Sequence, residues 1–156
     1  MQFQTGPYPL ATEAETEALA RGFADILHAG DTLLLEGEIG AGKSAFSRAL
    51  IRARLGRDED VPSPTFTLVQ TYDAGDVDIW HCDLYRLSSP EEALELGLDE
   101  AFTSAICLIE WPDRLDDLAP ETALTLRFEA LDNGHRVTFR GPQDWAGRLD
   151  KILVRA

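Results

Sequence analysis

The stretch Thr32-Leu33-Leu34-Leu35-Glu36, running into GEIGAGKS (37–44) and on into Ala45-Phe46-Ser47-Arg48-Ala49-Leu50-Ile51, decides the fold. The short apolar run reads as a strand, the glycine-rich segment as a loop and the continuation as a helix. The loop fits G-x-x-x-x-G-K-[ST] at Gly37, Gly42, Lys43 and Ser44, and each position has a physical reason. Glycine lets the backbone close around a phosphate. The backbone N–H groups of Glu38, Ile39, Gly40, Ala41, Gly42, Lys43 and Ser44 would then point inward at a β-phosphate, and the start of the helix adds partial positive charge. Lys43 would reach the β- and γ-phosphates, and the Ser44 hydroxyl would ligate Mg²⁺. A glycine turn carrying a surface lysine is the alternative, and the strand before and helix after weigh against it.

Upstream, Thr12-Glu13-Ala14-Glu15 is a capping-box pattern, followed by Leu19, Phe23, Ile26 and Leu27 at helical spacing up to Gly30. Downstream, the prolines of Val61-Pro62-Ser63-Pro64 forbid helix, and Thr65 to Tyr72 is rich in strand formers. Val77 to Tyr85 reads as another strand, and Ser89-Pro90-Glu91-Glu92 as a second capping box whose helix ends near Gly97. Ala105 to Ile109 is apolar at every position, as a strand covered on both faces would be, and runs into Glu110-Trp111-Pro112. Leu124, Leu126 and Phe128 then alternate with polar residues, Asp132-Asn133-Gly134-His135 supplies a turn, and Val137 and Phe139 alternate again. This predicts an antiparallel hairpin closing the sheet edge. Trp145, Leu149 and Ile152 predict a last amphipathic helix. The order of elements gives an α/β class with helices on the faces of one sheet.

At 156 residues, with 44% apolar and 27% charged residues, the chain has ordinary globular composition and the length of one domain, 1–156. Its apolar runs are far shorter than the roughly 20 residues of a membrane helix. The start, MQFQTGPYPL, lacks the basic and apolar regions of a signal peptide, so the expected compartment is the cytosol. Twenty-eight acidic residues face 14 basic ones, for a net charge of -14, with only two lysines, Lys43 and Lys151. Such a chain is repelled by a nucleic-acid backbone, which disfavours a broad DNA- or RNA-coating role. The one strongly basic region is Arg48, Arg52, Arg54 and Arg57, with no acid between Lys43 and Arg57. It is either a solvated helix face or a docking surface for an acidic partner or a small RNA contact. Cys82 and Cys107 have no CxxC spacing and read as buried reduced thiols.

An enzyme built on such a loop needs an acidic residue at a neighbouring strand end to manage the metal. Glu110 and Asp83 are the candidates, and only Glu110 follows an all-apolar strand. Thr65 would sense a γ-phosphate or metal as a switch residue, or serve a proline-stiffened turn. His81 is a general base or a hydrogen-bonded core residue, and Trp111 packs or walls a nucleotide pocket.

Taken together, GEIGAGKS, SPTF (63–66), HCDLYR (81–86) and IEWP (109–112), in this order and in a chain of this length, resemble the bacterial TsaE (YjeE) family. The resemblance runs from the first capping box through the C-terminal hairpin. It implies a three-layer P-loop NTPase-like fold with a mostly parallel central sheet. It implies a Mg²⁺-dependent ATPase required for the threonylcarbamoyladenosine modification of tRNA, working with TsaB and TsaD and meeting tRNA only through their complex. By position it makes Ser44 and Glu110 magnesium-associated, Asp83 a catalytic or metal-shell carboxylate, Thr65 a switch residue and Trp111 part of the nucleotide site. Ser44-Ala45 stands where the family usually has paired threonines; the first hydroxyl survives and the second is lost. A small-molecule kinase is the alternative enzyme, with Arg86 and Arg114 as its candidate arginines. A nucleotide-gated binding module, whose hydrolysis is incidental, is the alternative of another class.

Overall fold

The all-apolar run does lie deep in a sheet: β5 (Ile106–Glu110) is buried at all five positions. The structure is a computed structural model and describes residues 2–38, 40–57, 59–64 and 67–153. Around β5 are β1 (Gln2–Leu10), β2 (Thr32–Glu36), β3 (Val69–Asp73), β4 (Asp78–Asp83), β6 (Leu124–Leu131) and β7 (Gly134–Pro142), in the order β1-β7-β6-β2-β5-β4-β3. The helices are α1 (Glu13–Ile26), α2 (Lys43–Leu55), α3 (Glu91–Glu95), α4 (Leu98–Ser104) and α5 (Asp144–Leu153), with a 3₁₀ segment over Pro112–Leu118.

Pairing is parallel between β6 and β2, β2 and β5, and β5 and β4, and antiparallel toward both edges. The parallel part is thus confined to four central strands, and the sheet is mixed. Because β2, β4 and β5 run the same way, their C-terminal ends meet along one edge, where ligands bind in open α/β sheets. Side chains alternate across a strand, and the apolar ones separate accordingly. Leu33, Leu35, Ile79, Ile106 and Leu108 join α1, α2 and α5 in one core, while Cys82, Cys107 and Ile109 join α3 and α4 in the other.

The hairpin forms as the alternation predicts, but it does not close the edge. β1 pairs antiparallel with β7 and takes the outermost place. Its local signal is broken by Gly6-Pro7 and Pro9, residues tolerated only on an edge strand or a bulge, and the register shifts between Thr5 and Tyr8. β3 begins later than the strand formers suggest, because Leu68 turns through a positive φ of 68°. The helix after Pro90 ends before Gly97 as expected, and a second helix, α4, starts immediately behind that glycine.

The capping box of α1 is realised with a difference. Thr12 Oγ1 accepts from the Glu15 N–H at 3.2 Å, while the Glu15 carboxylate accepts from Ala11 N–H rather than from Thr12. At the other end α1 has no basic residue in its last turn. Arg54 of α2 supplies the charge instead, donating at 2.7 Å to the carbonyls of Ala24 and Leu27. Arg52 donates to the Glu59 carbonyl and Arg57 pairs with the Glu59 carboxylate. Most of the basic region therefore has structural work of its own.

Candidate active site

The loop between β2 and α2 is shaped by backbone sterics. Gly37 has φ 137°, and a Cβ there would lie 2.5 Å from the Phe128 carbonyl oxygen on β6. Gly42 caps α2 with φ 108°, in the left-handed region open to glycine at little cost. Helix α2 therefore begins at Lys43 itself, and the helix terminus, with the unpaired N–H groups of its first turn, is aimed at the loop.

Four charged or titratable groups sit behind that terminus. Lys43 is 4% exposed, Glu110 3%, Asp83 6% and His81 2%. The register explains the grouping, since Asp83 at the end of β4 lies opposite Glu110 at the end of β5, with His81 two residues earlier on the same face. Asp83 thus ends a parallel-paired strand as Glu110 does, although the β4 sequence is less uniformly apolar. Ser44 Oγ donates to Glu110 Oε1 at 3.3 Å, and His81 Nε2 lies 2.7 Å from Glu110 Oε2. Asp83 accepts from the Tyr85 N–H at 3.0 Å, which turns the chain sharply out of β4.

Lys43 Nζ donates to the Gly37 carbonyl at 2.5 Å and stands 3.6 Å from the centroid of the Trp111 ring. Burial pushes its ammonium below the ordinary lysine value, and the charges of Glu110, Asp83 and Asp113 act against that fall. Trp111 adopts φ 59°, a left-handed conformation that costs a non-glycine residue about 1–3 kcal/mol. It turns the indole back from the end of β5 onto Lys43, where the ring face meets a desolvated cation. Tyr85 also packs against this indole, with ring centroids 5.0 Å apart and the planes tilted by 58°.

Lys43, Asp83, Glu110, Trp111 and Tyr85 border a cavity of about 750 Å³, large enough for a nucleotide-sized ligand. Gly40, Gly42, Lys43, Ser44, Asp83, Glu110 and Trp111 line it, as do Arg48, Ser63 and Arg86. Of the residues singled out in the sequence, Thr65 and Ile39 lie outside the described residues, and Glu38 borders an adjacent cleft with Glu36, Asp113 and Arg127. The far wall was not foreseen. It is formed by Ala11, Thr12, Glu13 and Thr16 from the start of α1 and by Gly134 and His135 from the β6–β7 turn. His135 Nε2 is 3.1 Å from the Gly40 carbonyl oxygen, so the hairpin braces the crest of the loop. The turn residues announced a hairpin, but no local signal says which part of the sheet it will touch. Cys82 and Cys107 are free and buried on the opposite face, with no part in the cavity.

The family described as "Threonylcarbamoyl adenosine biosynthesis protein TsaE" matches residues 10–138. The chain belongs to the TsaE family. It is 43% identical over 130 residues to the "tRNA threonylcarbamoyladenosine biosynthesis protein TsaE" of Rickettsia conorii, covering 83% of this chain and 74% of the relative. To the protein of the same description from Bacillus subtilis it is 37% identical over 127 residues, covering 80% and 78%. The crystal structure of Bacillus subtilis YdiB superposes with a TM-score of 0.76 at 28% identity, over 99% of this chain and 95% of that one. Membership in the TsaE family places the chain in threonylcarbamoyladenosine biosynthesis on tRNA. Among the described residues, no helix is long and apolar enough to cross a membrane.

Proposed function

We propose that this chain is a P-loop ATPase of the threonylcarbamoyladenosine pathway, a single domain that hydrolyses ATP in the cytosol in support of TsaB and TsaD and meets tRNA only through them. The observation that carries the reading is the contact between Ser44 at the start of α2 and Glu110 at the end of β5, beside buried Lys43 and Asp83. The loop N–H groups and Lys43 would bind the β- and γ-phosphates, replacing the Gly37 carbonyl as the partner of Nζ. Arg48 and Arg86, which line the same cavity, add positive charge to its wall.

The donor set fits magnesium. Mg²⁺ prefers oxygen ligands and is usually held by one or two carboxylates together with substrate phosphates. Ser44 and Glu110 supply such oxygens, and among the described residues no group of three or more His, Cys, Asp and Glu side chains forms a protein-only cage. When bound with ATP, the ion would neutralise charge developing on the phosphates. Glu110 and Asp83, paired across β4 and β5, would orient the attacking water in line with the γ-phosphate and take up its proton. Trp111 and Tyr85 would exclude bulk water from that side.

The test is ATP turnover by Glu110→Ala, measured with TsaB and TsaD present. Binding of ATP is expected to persist while turnover falls by about 100-fold or more. Full turnover in that variant would remove Glu110 from the mechanism, and transfer of phosphate to an acceptor other than water would identify a kinase.

A further inference from the structure

We propose that His81 is a positioning residue for Glu110, fixing its carboxylate in the orientation in which it also meets Ser44; this rests on the ATPase reading above. Glu110 is held at both oxygens, with Oε2 2.7 Å from His81 Nε2 and Oε1 3.3 Å from Ser44 Oγ. A carboxylate only accepts, so Nε2 carries the hydrogen and donates it. The ring does not border the cavity, whereas Glu110 and Asp83 do. His81 thus reaches the cavity only through its contact with Glu110.

Two further features separate this role from ordinary packing. His81 lies opposite Leu108 in the register, and Glu110 lies opposite Asp83, so the ring reaches diagonally across the strand pair to its partner. Its other nitrogen, Nδ1, is buried with no hydrogen-bond partner among the described residues. An unpaired buried polar atom costs about 1–3 kcal/mol. A leucine would fill the position without that cost, so the ring is explained by the bond at Nε2 and by no wider polar network. Without that donor, Oε2 is left buried and unpaired. The carboxylate then turns toward another donor, and Lys43 is the nearby cation. Oε1 leaves Ser44 as it does so, and the two oxygens assigned to Mg²⁺ are no longer held together. Outer partners of metal ligands of this kind contribute about 10–100-fold to metal affinity or activity.

The experiment compares H81Q, H81N and H81L. The terminal amide nitrogen of glutamine reaches the place of Nε2, that of asparagine only the place of Nδ1, and leucine fills volume without donating. Four quantities are read: affinity for a fluorescent ATP analogue in EDTA, the Mg²⁺ concentration that half-saturates the change in that affinity, turnover with TsaB and TsaD, and the melting temperature. Affinity in EDTA is expected to stay within about twofold in all three variants. Half-saturating Mg²⁺ should rise, and turnover fall, by about tenfold or more in H81L and H81N, and by less than about threefold in H81Q. A purely structural histidine would shift melting temperature and leave the Mg²⁺ midpoint in place. Wild-type Mg²⁺ response and turnover in H81L, or a loss in H81Q as large as that in H81N, overturns the assignment. If H81L does not fold, H81Q against H81N decides. A wild-type protein with no Mg²⁺ response and no hydrolysis overturns the ATPase reading instead, which keeps the two failures apart.

Discussion

Alternation along β4 and β5 puts His81, Asp83 and Glu110 on one face of the sheet and Cys82, Cys107 and Ile109 on the other, so the same ten or so residues build two unlike environments. On the first face every charged side chain is buried against a partner: Glu110 has His81 and Ser44, and Lys43 has Gly37 and the Trp111 ring. On the second face the buried side chains are apolar or thiols and pack on α3 and α4. Burial alone therefore does not decide chemistry. What marks the first face is that it opens at the strand ends into a cavity and faces the start of a helix, where anions are stabilised.

The largest effect expected from this contrast is on the inert face. Ile109→Ala, next to Glu110 but pointing the opposite way, removes a side chain with 0% exposure and should cost about 4 kcal/mol of stability. Urea unfolding would read that loss. Nucleotide affinity of the folded fraction should stay within about threefold, and a large change there would mean that the two faces are coupled through the strand.

How much of this contrast was legible in the sequence depends on the range of the interaction behind it. The strand–loop–helix around GEIGAGKS and the strand before Glu110 are local signals, glycine spacing and an unbroken apolar run, and both were read correctly. The hairpin and α5 likewise follow from their own alternation and periodicity. β1 was missed because its inward positions, Phe3, Thr5, Tyr8 and Leu10, change step at the irregularity between Thr5 and Tyr8, and Gly6, Pro7 and Pro9 interrupt the run as only an edge strand or bulge allows. α4 was missed because Gly97, read as an end, is also the cap of the next helix. At the site, Lys43, Ser44 and the two carboxylates were legible as types. That Asp83 faces Glu110, that His81 holds it and that His135 braces Gly40 depend on strand register and sheet order, which one sequence does not print.

The second effect tests the charged face. Lys43→Ala removes the cation that joins the loop to Trp111 and should weaken binding of an ATP analogue by roughly 100-fold, about 2.7 kcal/mol. Equilibrium binding monitored by calorimetry or fluorescence would measure it. Because Lys43 is desolvated in the folded protein and its ammonium disfavoured there, the fold itself should not suffer from the substitution as it does from Ile109→Ala. A variant that melts far below the wild type would show that the lysine stabilises the loop more than it prepares it for phosphate.

The smallest effect returns to the thiols. Burial pushes Cys107 up to about 12 from an ordinary value near 9.0, and pushes Cys82 up as well. A group whose folded value is raised contributes stability that is complete below the unfolded value and is lost as pH rises toward the folded one. Between pH 9 and 12 the unfolded chain releases the Cys107 proton while the folded chain keeps it, which tilts stability downward by about 1.4 kcal/mol per pH unit for one thiol. Unfolding free energies of wild type and Cys107→Ala, compared at pH 8, 9.5 and 10.5, should therefore converge, with the variant less sensitive to alkali by about that slope. Parallel curves would mean that the Cys107 thiol ionises as readily inside the sheet as in the unfolded chain. The face behind the candidate site would then be open to water, and the contrast between the two faces would be one of side chains alone.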